Sequence, residues 1–196
     1  MIAYNLEPEI YSITGLQAFL KIAQHQNISH YPIHIKLDTG MHRLGFEPHL
    51  ISELCSLLKN NNFVKVKSVF SHLAASDDLE LDDFTKLQFQ RFDAMYSELE
   101  KVLPSKPIRH ILNTSGIFNY AEKQMEMVRL GIGLYGIGNS EQELKVLENV
   151  STLKTIISQI REVSPEESIG YSRRFRVTQK MKVATIPIGY ADGIRR

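Results

Sequence analysis

Ile33, Ile35 and Leu37 alternate with other residues and predict a buried strand over 33–37, which breaks into the turn cluster Asp38-Thr39-Gly40. Pro48 suits the first turn of the helix that the apolar spacing then predicts over about 48–59. The same pairing recurs on either side. Residues 9–13 (EIYSI) predict a short strand, followed by helical spacing at Leu16, Phe19, Leu20 and Ala23. Val64, Val66 and Val69-Phe70 predict a strand stopping at Ser71-His72. Asp82-Asp83 are placed to cap a long helix to about Val102, with Phe92, Met95, Leu99 and Leu103 on one face and Pro104 and Pro107 beyond it. A strand over 108–112 ends at Asn113-Thr114-Ser115-Gly116. After a brief helical turn, Met127-Val128, Leu130, Ile132 and Leu134 predict a last strand.

Strand and helix thus alternate about five times at βα-unit spacing, which implies a parallel sheet. After Gly138 the character changes. Residues 140–149 are polar and read as a connector. Thr155–Ile157, Ile160, Val163, Phe175–Val177 and Val183–Ile188 then predict short strands without intervening helices, a switch to antiparallel β. The boundary is expected near residue 145, giving an α/β domain over 1–145 and the beginning of a β-domain over 146–196.

Composition narrows the function classes. A formal net charge of +1 over 196 residues provides no field that would draw the chain to nucleic acid or to an acidic membrane. Cys55, the single cysteine, sits at helical spacing among leucines and reads as a core residue, so no disulfide within the chain is expected. With no secretory leader pattern and no run long enough to span a bilayer, the expected setting is a reducing cytoplasm.

The chemistry gathers where the strands end. Lys36 and Asp38, then His72, then His110 with Asn113 and Thr114, then Arg129 each terminate a predicted strand, and consecutive C-terminal strand ends converge on one face of a parallel α/β fold. GIGLYG at 131–136 formally matches a dinucleotide loop. However, no helix opens on it, and residues 151–161 (STLKTIISQIR) lack the acidic partner such a site uses. A glycine loop whose amides face a phosphate, with the Thr114 hydroxyl beside it, is the better reading. His72 with Asp77 and Asp78 matches no metal-ligand spacing, so no metal is expected.

KLDTGMHRLGF at 36–46, SHLAASDD at 71–78, HILNTSG at 110–116, VRLGIGLYG at 128–136, IGYSRRF at 169–175 and IPIGYADGIRR at 186–196 resemble, in order and over nearly the whole chain, the bacterial alanine racemase family. That family uses pyridoxal phosphate (PLP) to interconvert L- and D-alanine by two-base proton transfer, supplying D-alanine for peptidoglycan. The resemblance implies the second part of a (β/α)8 TIM-type barrel followed by the start of a β-domain, and a homodimer in the full-length parent.

It also implies roles. Arg129 would face the pyridine nitrogen; Gly131, Ile132 and Thr114 would contact the phosphate, Thr114 standing where the family commonly has serine. Tyr171 resembles a catalytic base that reaches the partner subunit's site, with His72 and Arg129 as its tuning neighbours. Lys36 resembles a lysine that becomes carbamylated and fixes Arg43, which lies near cofactor and substrate carboxylate. His110 and Asn113 resemble supporting residues and Tyr190 a tyrosine at the substrate entrance. No stretch resembles the family's Schiff-base lysine segment, so the expectation is an internal piece, cut at both ends and without turnover alone. A non-catalytic PLP-binding barrel is the alternative, disfavoured by the GYADG match beyond residue 150. A dinucleotide-binding oxidoreductase domain is a third reading.

Overall fold

The computed structural model describes residues 1–194. The last two residues of the IPIGYADGIRR motif lie outside them. The chain divides into two units, Met1–Val150 and Ser151–Arg196.

In the first unit four parallel strands, β1 (Glu9–Ile10), β2 (Tyr31–Lys36), β3 (Val64–Phe70) and β4 (Ile108–His110), lie side by side in chain order. Helices α1 (Ile13–His25), α2 (Ile51–Leu58), α3 (Asp82–Glu100) and α4 (Thr114–Asn119) follow them in turn. Unbroken spatial order, strand after strand, is the progression of an α/β barrel, and these units form part of one. The core lies between sheet and helices, where Ile33, Ile35, Leu37, Leu54, Val69, Phe92 and Leu99 are all buried. Among the described residues no helix is long and apolar enough to cross a membrane.

Local chemistry moved several boundaries. The expected strand over 9–13 shrinks to two residues because the Ser12 hydroxyl accepts the Gly15 N–H at 3.1 Å and caps α1. Asp82 and Asp83 lie inside the first turn of α3, where they complement the helix dipole. The capping carboxylate is Asp78, which accepts the Glu80 N–H at 2.9 Å at the head of a short 3-10 turn. The polar segment expected as connector contains helix α5 (Glu141–Val146), capped by Ser140.

The fifth parallel strand expected over 127–134 does not form. Two backbone bonds tie this segment to the β4 region, Met127 N–H to the Arg109 carbonyl at 3.3 Å and Arg129 N–H to that of Leu112 at 3.0 Å. Gly131 (φ −102°, ψ −110°) then diverts the chain into a 3-10 turn over Ile132–Tyr135. Leu130, Ile132 and Leu134 remain exposed in spite of their alternation.

In the second unit β5 (Gln159–Val163) pairs antiparallel with β8 (Met181–Thr185), and β6 (Ser168–Ile169) with β7 (Phe175–Arg176). The switch to antiparallel pairing holds, but pairing begins at Gln159, and Ile156 and Ile157 are exposed outside it. The last strand ends at Thr185, short of the expected Ile188.

The loop after β2 folds back on its own strand. Asp38 N–H reaches the Phe46 carbonyl at 2.8 Å and Phe46 N–H the Lys36 carbonyl at 2.9 Å, while the Asp38 carboxylate accepts the amides of Gly40 and His42. Gly45 makes the return possible: its φ is +132°, and a Cβ there would lie 2.6 Å from the Asp38 nitrogen. Gly45→Ala is expected to cost about 2–4 kcal/mol by urea unfolding, because backbone on both sides would have to separate.

Candidate cofactor site at the strand ends

Strand register places the polar groups. Lys36, Phe70 and His110 are successive partners across β2, β3 and β4, so their side chains share one face of the sheet; His34 and Ser68 pair two residues earlier on that face. The Phe70 ring is the platform. His110 stacks on it at 4.7 Å between centroids, the Arg129 guanidinium lies 5.2 Å from it and the Lys36 ammonium 5.5 Å.

Arg129 is the hub. Its Nη2 donates to the carbonyls of Ser71 (2.5 Å) and Ile111 (3.4 Å) and to His72 Nδ1 (3.2 Å); its Nη1 donates to the His110 carbonyl (3.3 Å) and to His110 Nδ1. A guanidinium only donates, so both Nδ1 atoms are acceptors and both rings are neutral there. That fixes the direction of the next bond, to Ser68. His110 Nε2–H donates to Ser68 Oγ (3.2 Å), Ser68 Oγ and His34 Nδ1 share a hydrogen bond (2.6 Å), and His34 Nε2–H donates to the Glu7 carboxylate (2.8 Å), which Lys67 also grips at 2.7 Å. A continuous hydrogen-bonded chain therefore runs from Arg129 across three strands to Glu7.

The electrostatics agree with neutral rings. Burial, then the Arg129 charge, then His34 hold His110 down at about 3. Burial, then Arg129, Arg43 and Lys36 hold His72 down at about 4. Burial lowers Arg129 itself to about 10, which leaves it charged at neutral pH.

Beside this cluster the Thr114 hydroxyl oxygen accepts the amides of Gly131 (3.0 Å) and Gly133 (3.2 Å). Asn113 caps α4 through the Gly116 N–H at 2.9 Å and accepts the Ser76 hydroxyl at 2.7 Å, tying two strand-end loops together. Ile132 stands half exposed in the turn. Lys36 is buried and paired with Glu9 at 3.1 Å, and Arg43 is exposed on the loop after β2. Tyr171 and Tyr190 belong to the second unit, each at the start of a short 3-10 turn and largely exposed.

The structure thus brings Lys36, His110 and Arg129 around one ring, with His72 joined to Arg129 and with Thr114 and Gly131 adjoining. Phe70, Ser68 and His34 belong to the same cluster and were not singled out from the sequence. Among the described residues no group of three or more His, Cys, Asp or Glu side chains is placed to hold a metal ion.

Polar side chains gathered at the C-terminal ends of consecutive parallel strands define an α/β-barrel protein with its site at that end. Family models make the assignment specific: residues 1–139 match that of the alanine racemase N-terminal domain and residues 150–196 that of the C-terminal domain. The chain belongs to the alanine racemase family. Alanine racemase 1 of Clostridium acetobutylicum is 35% identical over 201 residues, covering 100% of this chain and 51% of the relative. Alanine racemase of Clostridium difficile 630 superposes with a TM-score of 0.76 at 29% identity, over 97% of this chain and 50% of that one. That of Bartonella henselae, solved with covalently bound pyridoxal phosphate, does so with 0.76 at 25% identity, over 97% and 51%. The chain spans about half the length of the relatives it matches.

Proposed function

We propose that this chain supplies the Arg129 side of the pocket of a PLP-dependent alanine racemase, interconverting L- and D-alanine for peptidoglycan synthesis in the cytoplasm as a homodimer. The observation that carries the reading is Arg129, held by three carbonyls and two neutral imidazoles at the head of that hydrogen-bonded chain. The donor set fits the cofactor: a fixed cation for a ring acceptor, and for a phosphate the Thr114 hydroxyl proton, on an oxygen that the Gly131 and Gly133 amides hold in place. A Cβ on Gly133 would lie 2.6 Å from Thr114 Cγ2, so the phosphate cradle requires glycine there.

When bound, PLP supplies an electron sink for the carbanion formed at the substrate Cα. Arg129 does not readily release a proton, so a ring nitrogen facing it stays unprotonated, which weakens the sink and favours reprotonation over side reactions. In this reading Thr114, Gly131 and Ile132 bind phosphate. Tyr171 is one proton-transfer base, reaching the partner subunit's site. Lys36 fixes Arg43, which lies near the cofactor and the substrate carboxylate, His110 and Asn113 support the cluster, and Tyr190 lines the entrance.

PLP and NAD titrated separately into the chain, followed by PLP absorbance and tyrosine fluorescence, test this. Saturable PLP binding that inorganic phosphate competes away is expected, with no response to NAD. Saturable NAD binding without PLP binding would overturn the reading.

A further inference from the structure

Helix α3 carries one side chain that its packing does not require. Gln88 lies beside Phe89 on the buried side of the helix and is itself fully buried, yet an apolar residue of similar length would pack there as well. Its amide reaches three partners. Oε1 accepts the Ala74 N–H at 2.9 Å, and Nε2 donates to the His72 carbonyl at 3.1 Å and to Thr39 Oγ1 at 3.1 Å. The backbone N–H only donates and the carbonyl only accepts, so these partners fix the orientation of the amide.

The contact with Thr39 continues inward. Ser71 Oγ donates to the Leu37 carbonyl at 2.7 Å, which uses its single proton, so in the 2.8 Å contact between Thr39 and Ser71 the threonine is the donor. The Thr39 oxygen is then free to accept from Gln88. The Ser71 carbonyl at the end of this chain is the acceptor of Arg129 Nη2, and the Ser71 N–H donates to the His110 carbonyl at 3.2 Å. Arg91, one turn further along α3, grips the Thr39 carbonyl at 3.1 Å and braces the same loop.

We propose that Gln88 is a positioning residue: its amide clamps the loops after β2 and β3 to α3, and so sets where His72 and the Ser71 carbonyl meet Arg129. The importance of that meeting rests on the function proposed above; the clamp itself is a property of the chain alone. A buried amide with three satisfied contacts adds direction where an apolar side chain would add only packing, because each bond fixes a backbone atom in place.

The test is ¹⁵N NMR of the cofactor-free chain with labelled histidine, arginine and glutamine, comparing Gln88→Met, Gln88→Glu and the exposed control Gln90→Met. Gln88→Met should change the His72 Nδ1 resonance and the Arg129 guanidinium resonances. It should also move the His72 titration midpoint by about one pH unit, since its distances to Arg129, Arg43 and Lys36 all change. At neutral pH Gln88→Glu keeps the size and the acceptor for Ala74 but has no N–H for His72 or Thr39, so the same resonances should move. The Gln90→Met spectrum should match that of the parent. In the parent, the Gln88 side-chain amide protons should exchange with solvent far more slowly than those of Gln90, a measurement that needs no variant to fold. Parent-like His72 and Arg129 signals in both Gln88 variants, with only a lowered Tm, would overturn the proposal, as would fast exchange of the Gln88 amide. Because no cofactor is present, a chain that binds no PLP but shows these changes would defeat the functional reading and uphold the clamp.

Discussion

Lowering the pH from 7 to 4.5 is expected to remove about 4 kcal/mol of the stability of this chain, most of it below pH 6.5. An unfolded histidine takes up its proton near 6.5, whereas folded His110 resists to about 3 and folded His72 to about 4. Between those values the unfolded chain binds more protons than the folded one, so stability falls as pH falls and does not fall toward pH 8. With solvent screening allowed for, each ring contributes about 2 kcal/mol of this loss by pH 4.5, against a total of about 5–15 kcal/mol for a small domain. Glu126 acts in a lower window, which overlaps only the tail of the first. The Arg109 hydrogen bonds hold it at about 2, so its contribution is lost only as pH drops below the ordinary glutamate value near 4.5. Urea melts at half-unit intervals would resolve the two ranges. His110→Asn should remove about half of the upper loss, leaving the His72 share, and a parent chain equally stable at pH 7 and 4.5 would contradict the burial and charge assigned to these rings.

What the sequence made legible follows from which forces are local. The alternation of Ile33, Ile35 and Leu37 marks β2 because one face of that strand is covered. The same alternation misleads at Leu130, Ile132 and Leu134, where the segment makes few ladder bonds and the side chains stay exposed. At residues 9–13 a serine cap outweighed the strand pattern. Strand-end chemistry pointed to Lys36, His72, His110 and Arg129, but not to what joins them. His34, Ser68 and Phe70 read as strand body until the register is known, and parallel register is set by long-range pairing. A register shift opposite Ile33 and His34 leaves Lys67 as the extra residue of β3 and puts Ser68, not Lys67, across from His34. The one local trace is a break in parity, with apolar residues at 64 and 66 and then at 69. The break carries Ser68 and Phe70 to the face of Lys36 and His110 and leaves Lys67 to pair with Glu7.

Arg129→Met is expected to cost about 2–3 kcal/mol at pH 7 and, at the same time, to soften the acid loss. The guanidinium is the donor to the carbonyls of Ser71, His110 and Ile111, three residues that are themselves buried, and its removal leaves those acceptors unpaired. Relief from holding a half-buried cation offsets part of that cost, which keeps the figure below that of breaking a fully buried ion pair. The histidines respond with the opposite sign. For both, Arg129 is the second cause of the depressed pKa after burial, so without its charge both midpoints rise toward 6.5 but do not reach it. The variant should therefore be less stable than the parent at pH 7 and close to it at pH 4.5. Arg129→Lys separates the two effects: an ammonium keeps a positive charge beside the rings but has no planar fork to reach His72 and His110 together. It should keep the low histidine midpoints while losing much of the stability. If histidine titration and urea melts showed Lys and Met variants alike in both respects, Arg129 would be acting by bulk alone, and its place as hub of the cluster would be lost.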